Sequence, residues 1–477
     1  MDELILTGEA LSAEDVVAVA REGRRVAVSG EAAERMRAAA ELAQRLAAGG
    51  AEVYGLTTGV GALRGVRQAA ADAEQFNRLT IQAHRTSHGT RLPGEVGRAA
   101  LLHRLNALCR GRSMVRPQVA AAFADALNDG VAPALPAIGS VGQSDLPAMA
   151  ELINALQERG LALEQGEALA LLNGNALSTG LGALVVADAA RLLEAYDLVG
   201  ALSLEAFAGN PSVLHRQVAD ARPYAGLAAS LVHMRELLEG SYLWGIGASR
   251  NLQDPLSFRT LPHVLGAARD ALGHTRRQIE TELNASGDNP MTVVDEDNVV
   301  SVGNFDITPV ATALDLLRLA LAQVMTAGCE RIQKHLNSGF SGLATGLRSD
   351  DGPDDALALV GGGAAAITAE ARLLAQPVSL ELPTSSIAAG IEDHLTMAPL
   401  GARRAAEMTG MAARLGALEL VVSAQAIDLR GAAPLGAGTG PAHAHVRELV
   451  PFVGSGQAWD NQLGPLAGWV ARGAGQD

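Results

Sequence analysis

Long stretches of this chain are apolar around nearly the whole circumference of a helix. Residues 167–207, 228–240, 261–285, 308–336, 354–375 and 399–428 are rich in Ala and Leu at helical spacing. A helix without a polar face belongs in the centre of a bundle or at an interface between subunits. Residues 31–49 and 95–128 are also helical in pattern, the second broken near Gly111. Strand signals are few, the best being Asn298 to Val302 with Met291 to Val294 as a partner across Asp295-Glu296-Asp297. A mainly α fold is expected. The 477 residues are enough for two or three domains. A cut near residue 200 separates an N-terminal domain (1–200), with two glycine-rich loops, from a long-helix bundle (201–477).

Charge and composition narrow the function. With 37 Lys+Arg against 52 Asp+Glu the net charge is −15, and no basic patch stands out, so nucleic acid and anionic membrane are not expected partners. The longest apolar runs are broken by Asp, Glu or Arg before about 18 residues, and the start is acidic, unlike a signal peptide. A soluble cytoplasmic protein is the expectation. Cys109 and Cys329 cannot build a disulfide framework and read as buried thiols. The single lysine, Lys334, lies beside Arg331 and His335 in a run that reads as a solvated helix face, not as a Schiff-base site.

The chemistry concentrates in loops between the long helices. Tyr54-Gly55-Leu56-Thr57-Thr58-Gly59-Val60-Gly61 places a tyrosine in a glycine-rich loop, where it can be a base, a gate or a packing ring. Gly139-Ser140-Val141-Gly142-Gln143-Ser144-Asp145-Leu146-Pro147 follows, with Asp145 as a helix N-cap and Pro147 in the first turn. His84 and His88, four apart, can share a metal on a helix, but no third ligand stands at a readable spacing. His443 and His445 are as weak, and no metal is expected. Gly59-Val60-Gly61 and Gly361-Gly362-Gly363 lack the strand–turn–helix setting of a dinucleotide site, and Ser144 lacks a GxSxG context. Glu392-Asp393-His394 reads as an acid/base cluster or as an exposed helix end.

Taken in order, these stretches resemble the histidine and aromatic amino-acid ammonia-lyase family from end to end. Tyr54 to Gly61 resembles its YGxxTGxG loop. Ala83-His84, His88-Gly89, Arg104, Asn106 and Gly111 resemble its next helical block. Gly139 to Gly142 and Asp145-Leu146 match the flanks of its prosthetic-group loop. Leu169 to Gly174, Gln253 to Arg259, Glu282 to Pro290, Gly303-Asn304-Phe305, Glu330-Arg331, Pro383 to Ser386 and Glu392 to His394 complete the series. The resemblance implies a histidine ammonia-lyase-like (fumarase/aspartase-type) fold, with a long central helical bundle and a loop-rich N-terminal active-site domain. It further implies a homotetramer whose active sites are shared between subunits. The family's reaction removes ammonia from an amino acid or shifts the amine, using a methylidene-imidazolone ring made from an internal Ala-Ser-Gly.

The pattern breaks at that triad. Between Gly142 and Asp145-Leu146 the family has three residues, and this chain has two, Gln143 and Ser144. An ungapped reading makes the triad Gln143-Ser144-Asp145, in which Asp145 replaces the glycine that eases the ring-closing turn. Two further departures are Leu256, where the family has Tyr, and Asp306, where His usually follows the GNF. Tyr54, His84, Asn173, Gln253, Arg259, Phe305 and Glu392 keep the family's residues and are the expected catalytic set. Gly61, Leu256, Gln143 and Ser144 are expected in the substrate pocket. Arg259 is expected to hold a substrate carboxylate, with Tyr54 as the base. The expectation is a lyase-like enzyme acting on a small carboxylate-bearing, amino-acid-like substrate with no cofactor; a self-made ring is disfavoured. Elimination, conjugate addition, isomerisation and cyclisation stay open. A true ammonia-lyase or aminomutase with a non-standard ring, and a non-catalytic binding homologue, are the alternatives.

Overall fold

The structure, a computed structural model, describes residues 2–59, 66, 73–349, 356–380, 390–454, 457 and 463–475. Helices dominate it, and the only strands among the described residues form three two-stranded ribbons. Leu4–Leu6 pairs in parallel with Val26–Val28. His88–Arg91 runs antiparallel to Pro136–Ile138, and Met291–Val293 to Asn298–Val300, the hairpin expected from sequence. The ribbon strand ending at Ile138 leads directly into the 139–147 loop.

The long helices fall where the apolar pattern places them, at Leu261–Leu283, Thr308–Leu336, Val360–Leu374 and Ala398–Arg430. The 167–207 stretch is not one helix. It breaks into Glu167–Leu172 and Ala176–Phe207, with Asn173, Gly174 and Asn175 between them. Gly174 has φ +142, which a helix cannot continue through. By length and composition, 167–207, 308–336 and 398–430 are apolar enough to cross a membrane, but their apolar windows are 100%, 61% and 89% buried within the protein.

Contacts divide the chain into two compact units. The first comprises residues 1–187, 275–315 and 377–403, the second 188–274, 316–376 and 404–477. This partition differs from a single cut at residue 200, because two later segments return to the first unit.

In the first unit the helix Gly94–Leu108 is buried from Val96 onward, polar side chains included. Each of those polar groups ties the helix to another segment, which offsets its desolvation. Arg98 donates to the carbonyls of Val19, Ala20 and Leu127 at 2.7, 3.2 and 3.1 Å. Asn106 accepts from the Gly8 N–H at 3.0 Å and donates to the Leu283 carbonyl at 2.9 Å. Arg104 pairs with the buried Asp288 at 2.9 Å and also donates to the Ala170 carbonyl. His103 meets the Glu282 carbonyl at 3.2 Å. Burial, with the Arg104 cation next to it, pushes that imidazole down to about 4, so it is neutral.

The second unit centres on an ion pair. Arg331 Nε and Nη2 reach the two oxygens of Glu419 at 2.5 and 3.0 Å, with both side chains essentially out of solvent. Nearby, the Phe207 and Phe258 rings stack at 4.2 Å, and His335 stands edge-on to both at 5.6 and 5.7 Å. Burial holds His335 neutral, down at about 3. The run around Lys334 is therefore not a solvated face. Lys334 pairs with Glu330 at 3.0 Å, while Arg331 and His335 point inward.

Removing one partner of a buried pair strands the other charge, whereas removing both does not. Glu419→Leu is expected to cost about 3–5 kcal/mol, and Glu419→Leu with Arg331→Met much less. Thermal unfolding of both variants checks this; a double variant as unstable as the single one would contradict it.

Candidate active site

A cavity of about 410 Å³ in the first unit is lined by Tyr54, His84, Gly139, Val141, Gln143, Ser144, Leu146, Pro147, Leu169, Asn173, Asn289, Phe305, Glu392 and Leu395. Seven of these come from the sequence-derived set: Tyr54, His84, Gln143, Ser144, Asn173, Phe305 and Glu392. Gly61 lies outside the described residues. Gln253, Leu256 and Arg259 belong to the second unit and are not lining residues of this cavity. There Leu256 is 62% exposed, and Arg259 donates from Nε to the Asp254 carbonyl at 2.8 Å.

Each polar residue of the lining is held by a local device. The Tyr54 turn is closed by Leu56, Thr57 and Thr58 N–H groups, all donating to the Val53 carbonyl. The Thr57 hydroxyl donates to Ala51 O and accepts from the Val53 N–H, each at 2.8 Å. His84 closes the helix Ala73–His84, and its Nδ1 lies 2.7 Å from the Thr80 carbonyl. A carbonyl only accepts, so Nδ1 carries a hydrogen. His88 opens a strand, so the two histidines do not share a helix face. Among the described residues no group of three metal-ligating side chains occurs. Asn173, in the break between two helices, donates from Nδ2 to the Asn289 carbonyl, leaving Oδ1 as its acceptor.

The 139–147 loop is the most constrained part. Gly142 has φ +81, and a Cβ there would lie 2.2 Å from Thr396 Oγ1, so only glycine fits. Thr396 donates to the Gly142 carbonyl at 2.6 Å. Ser144 is buried and left-handed at φ +59, a conformation that costs a non-glycine residue energy. Its Oγ accepts from the Gly174 N–H at 3.2 Å.

Asp145 is the N-cap residue of Leu146–Gln157, with Pro147 in the first turn, but its carboxylate does not cap that helix. It accepts instead from the Ser178 N–H at 2.7 Å, the Ser178 hydroxyl at 3.1 Å and the Ser140 hydroxyl at 2.6 Å. It thus serves the N-terminus of Ala176–Phe207, where a carboxylate is favoured. Burial pushes its carboxyl up, and the serine hydrogen bonds oppose this without cancelling it. The Asp145 N–H donates to the Gly174 carbonyl at 2.8 Å.

Sequence reasoning missed the network behind Gln143. Gln143 Nε2 donates to Asp306 Oδ2 at 2.9 Å, and the two residues also form a backbone bridge. Asp306 accepts from the Thr308 N–H at 2.9 Å and faces His394 Nε2 at 3.3 Å. Burial raises the Asp306 carboxyl, but the Thr308 and Gln143 hydrogen bonds and the His394 charge outweigh it and hold it below its ordinary value. Glu282 is pushed up to about 7, by burial first and then by the Asp306 carboxylate. No spacing in the chain signalled this meeting. The Asp after GNF was visible only as a departure.

A family model described as aromatic amino acid lyase matches residues 11–162 and 153–448. The chain belongs to the aromatic amino acid lyase family. Histidine ammonia-lyase from Stigmatella aurantiaca is 35% identical to it over 475 residues, covering 94% of this chain and 92% of that protein. The one from Symbiobacterium thermophilum is 36% identical over 471 residues, with the same coverage. Among solved structures, the ergothioneine-degrading ergothionase of Treponema denticola superposes with a TM-score of 0.93 at 29% identity and covers 100% of both chains. Tyrosine aminomutase of Streptomyces globisporus does so at 0.90 and 29% identity, over 99% of this chain and 97% of its own. This lyase is thus a carbon–nitrogen lyase by family, on the mainly α scaffold of its relatives.

The raised Glu282 carboxyl makes a signed pH prediction. The folded state binds that proton more tightly than the unfolded chain, so the stabilisation is full below the ordinary value of 4.5 and is lost as pH rises through about 7. Glu282→Gln is therefore expected to match the parent protein's Tm at pH 4 and exceed it at pH 8. Equal Tm values at both pH values would contradict the assignment.

Proposed function

We propose that this lyase works by Tyr54-centred proton removal on an amino-acid-like carboxylate, without a methylidene-imidazolone. The observation that carries this is the state of the would-be triad. Ring closure needs the Asp145 nitrogen to attack the Gln143 carbonyl. That nitrogen is committed to the Gly174 carbonyl at 2.8 Å, and the Asp145 side chain is clamped by Ser140 and Ser178. Gln143-Ser144-Asp145 does not fit the group, and no step here runs through it.

The step is elimination. Acting as the base, the Tyr54 oxygen takes a C–H proton, that bond's electron pair becomes the new C=C bond, and the C–N bond breaks. The amine departs as a neutral molecule with the bonding pair. This balances when the departing nitrogen is already a cation, a protonated or quaternary ammonium, which needs no electrophile to leave. His84 Nε2 and Glu392 flank the cavity as acceptors that orient the substrate or pass on the proton, and Phe305, Leu169 and Leu395 form its apolar wall. Homologues on this fold include ammonia-lyases, aminomutases and an ergothioneine-degrading enzyme, so the scaffold serves more than one reaction.

Carboxylate binding is assigned to Arg259 with Gln253, delivered from a neighbouring subunit of a homotetramer. In support, Leu252 and Leu256 beside them are 92% and 62% exposed, and Leu359 and Leu373 of the same unit are 81% and 69% exposed. Exposed leucines next to Gln253 and Arg259 in the chain are suited to association. A cytoplasmic location is part of the proposal, in line with two unpaired buried cysteines. The second reading, an ammonia-lyase with a non-standard ring, draws on the whole-length identity to histidine ammonia-lyases.

Tyr54→Phe tests the proposal. Amine release and formation of a conjugated acid are followed for L-histidine, L-phenylalanine and L-tyrosine and their N-methylated forms. The variant is expected to lose about 10²–10⁴-fold in kcat, with substrate binding kept. Unchanged turnover would remove Tyr54 as the base.

A further inference from the structure

Two of the residues that depart from the family pattern are bonded to each other. Gln143 stands in the loop from which the family builds its electrophile, and Asp306 stands where His usually follows the GNF. They lie 163 positions apart in the chain and meet through the Gln143 Nε2–Asp306 Oδ2 hydrogen bond at 2.9 Å and a backbone bridge.

This bond fixes which way the amide faces. A carboxylate can only accept, so the Gln143 NH₂ must point at Asp306 and the carbonyl oxygen must point away from it. Thr308 and His394 surround Asp306 and favour its charged form. Gln143 Oε1, on the other side, is shielded from solvent and has no hydrogen-bond partner among the described residues. Gln143 lines the cavity together with Tyr54, Asn173 and Glu392. A buried, unmet carbonyl oxygen costs free energy unless something donates to it.

The geometry points to Gln143 as a specificity residue: its Oε1 accepts a hydrogen bond from an N–H of the bound substrate. Where the family presents an electrophile, this chain presents a fixed acceptor. The inference rests on the reading of this cavity as the substrate site. It selects amino-acid substrates that retain an N–H donor, on the amino nitrogen or on a side-chain heterocycle, over those methylated at that nitrogen. Asp306 is a positioning residue that acts through the amide.

Calorimetric titration of the full-length protein tests this with three ligands: L-histidine, its α-N-trimethyl form and its ring-N-methylated forms. Gln143→Leu is expected to weaken L-histidine binding about tenfold, the usual scale of one lost hydrogen bond. The ligand methylated on the contacting nitrogen should bind the parent protein about tenfold more weakly than L-histidine and lose nothing further in Gln143→Leu. Insensitivity of the α-N-trimethyl form assigns the donor to the amine, and insensitivity of a ring-methylated form assigns it to the heterocycle. Asp306→Asn, which lets the amide turn over, should give a smaller loss of the same pattern. A merely structural role would weaken all ligands alike; that result, no change in any, or no binding of any ligand to the parent protein overturns the inference. Tyr54→Phe should bind L-histidine as the parent does, so an error about Tyr54 appears in turnover and an error about Gln143 in binding.

Discussion

The buried carboxylate of Asp145 holds three segments in one place. Through Ser140 it fixes the start of the 139–144 loop, and through Ser178 it satisfies the N-terminus of the 176–207 helix. Its own N–H locks the Gly174 carbonyl in the break that presents Asn173. Burying an acid is costly, and here three hydrogen bonds from Ser140 and Ser178 offset part of that cost. Because the helix behind it is apolar all round and immobilised by packing, the loop inherits the rigidity of the core. Ser144 keeps its left-handed backbone only because its neighbours on both sides are pinned.

That constraint orders the rest of the cavity. Asn173 and Ser144 line it from the helix break and the loop that Asp145 joins, and Tyr54 comes from a turn closed by its own backbone. Phe305 and Gln143 come from segments joined by the Gln143–Asp306 backbone bridge. The electrostatics behind Gln143 are lopsided: Asp306 is held below its ordinary value, and its carboxylate, after burial, raises Glu282 to about 7. A cationic or N–H-bearing substrate is the natural complement of such a site.

Much of the fold was legible because the apolar pattern of a buried helix is continuous. The helices at 308–336 and 398–430 and the hairpin at 291–300 follow from period alone. The break at Asn173-Gly174 was not, since one glycine in an apolar run gives no sign that its φ will be +142. The face around Lys334 was misjudged for a related reason: Arg331 and His335 are polar by type, yet each has a buried partner in a distant segment, Glu419 and Ser203. Local spacing also misplaced the Asp145 carboxylate, which serves a helix thirty residues further on rather than its own. Residues of the family motifs gather in the cavity where one unit supplies them. Gln253, Leu256 and Arg259, from the other unit, show what chain order alone leaves open. The Gln143–Asp306 bond was invisible, because two departures read separately carry no sign that they are partners.

We propose that the Asp145 clamp keeps Gln143-Ser144-Asp145 from closing into the family's prosthetic ring. The intact mass of the purified protein tests it most directly, since forming the ring removes two waters from the encoded chain. A mass equal to that of the encoded sequence is the expected result. A mass short by two waters would show that Gln143-Ser144-Asp145 cyclises, and would contradict the account.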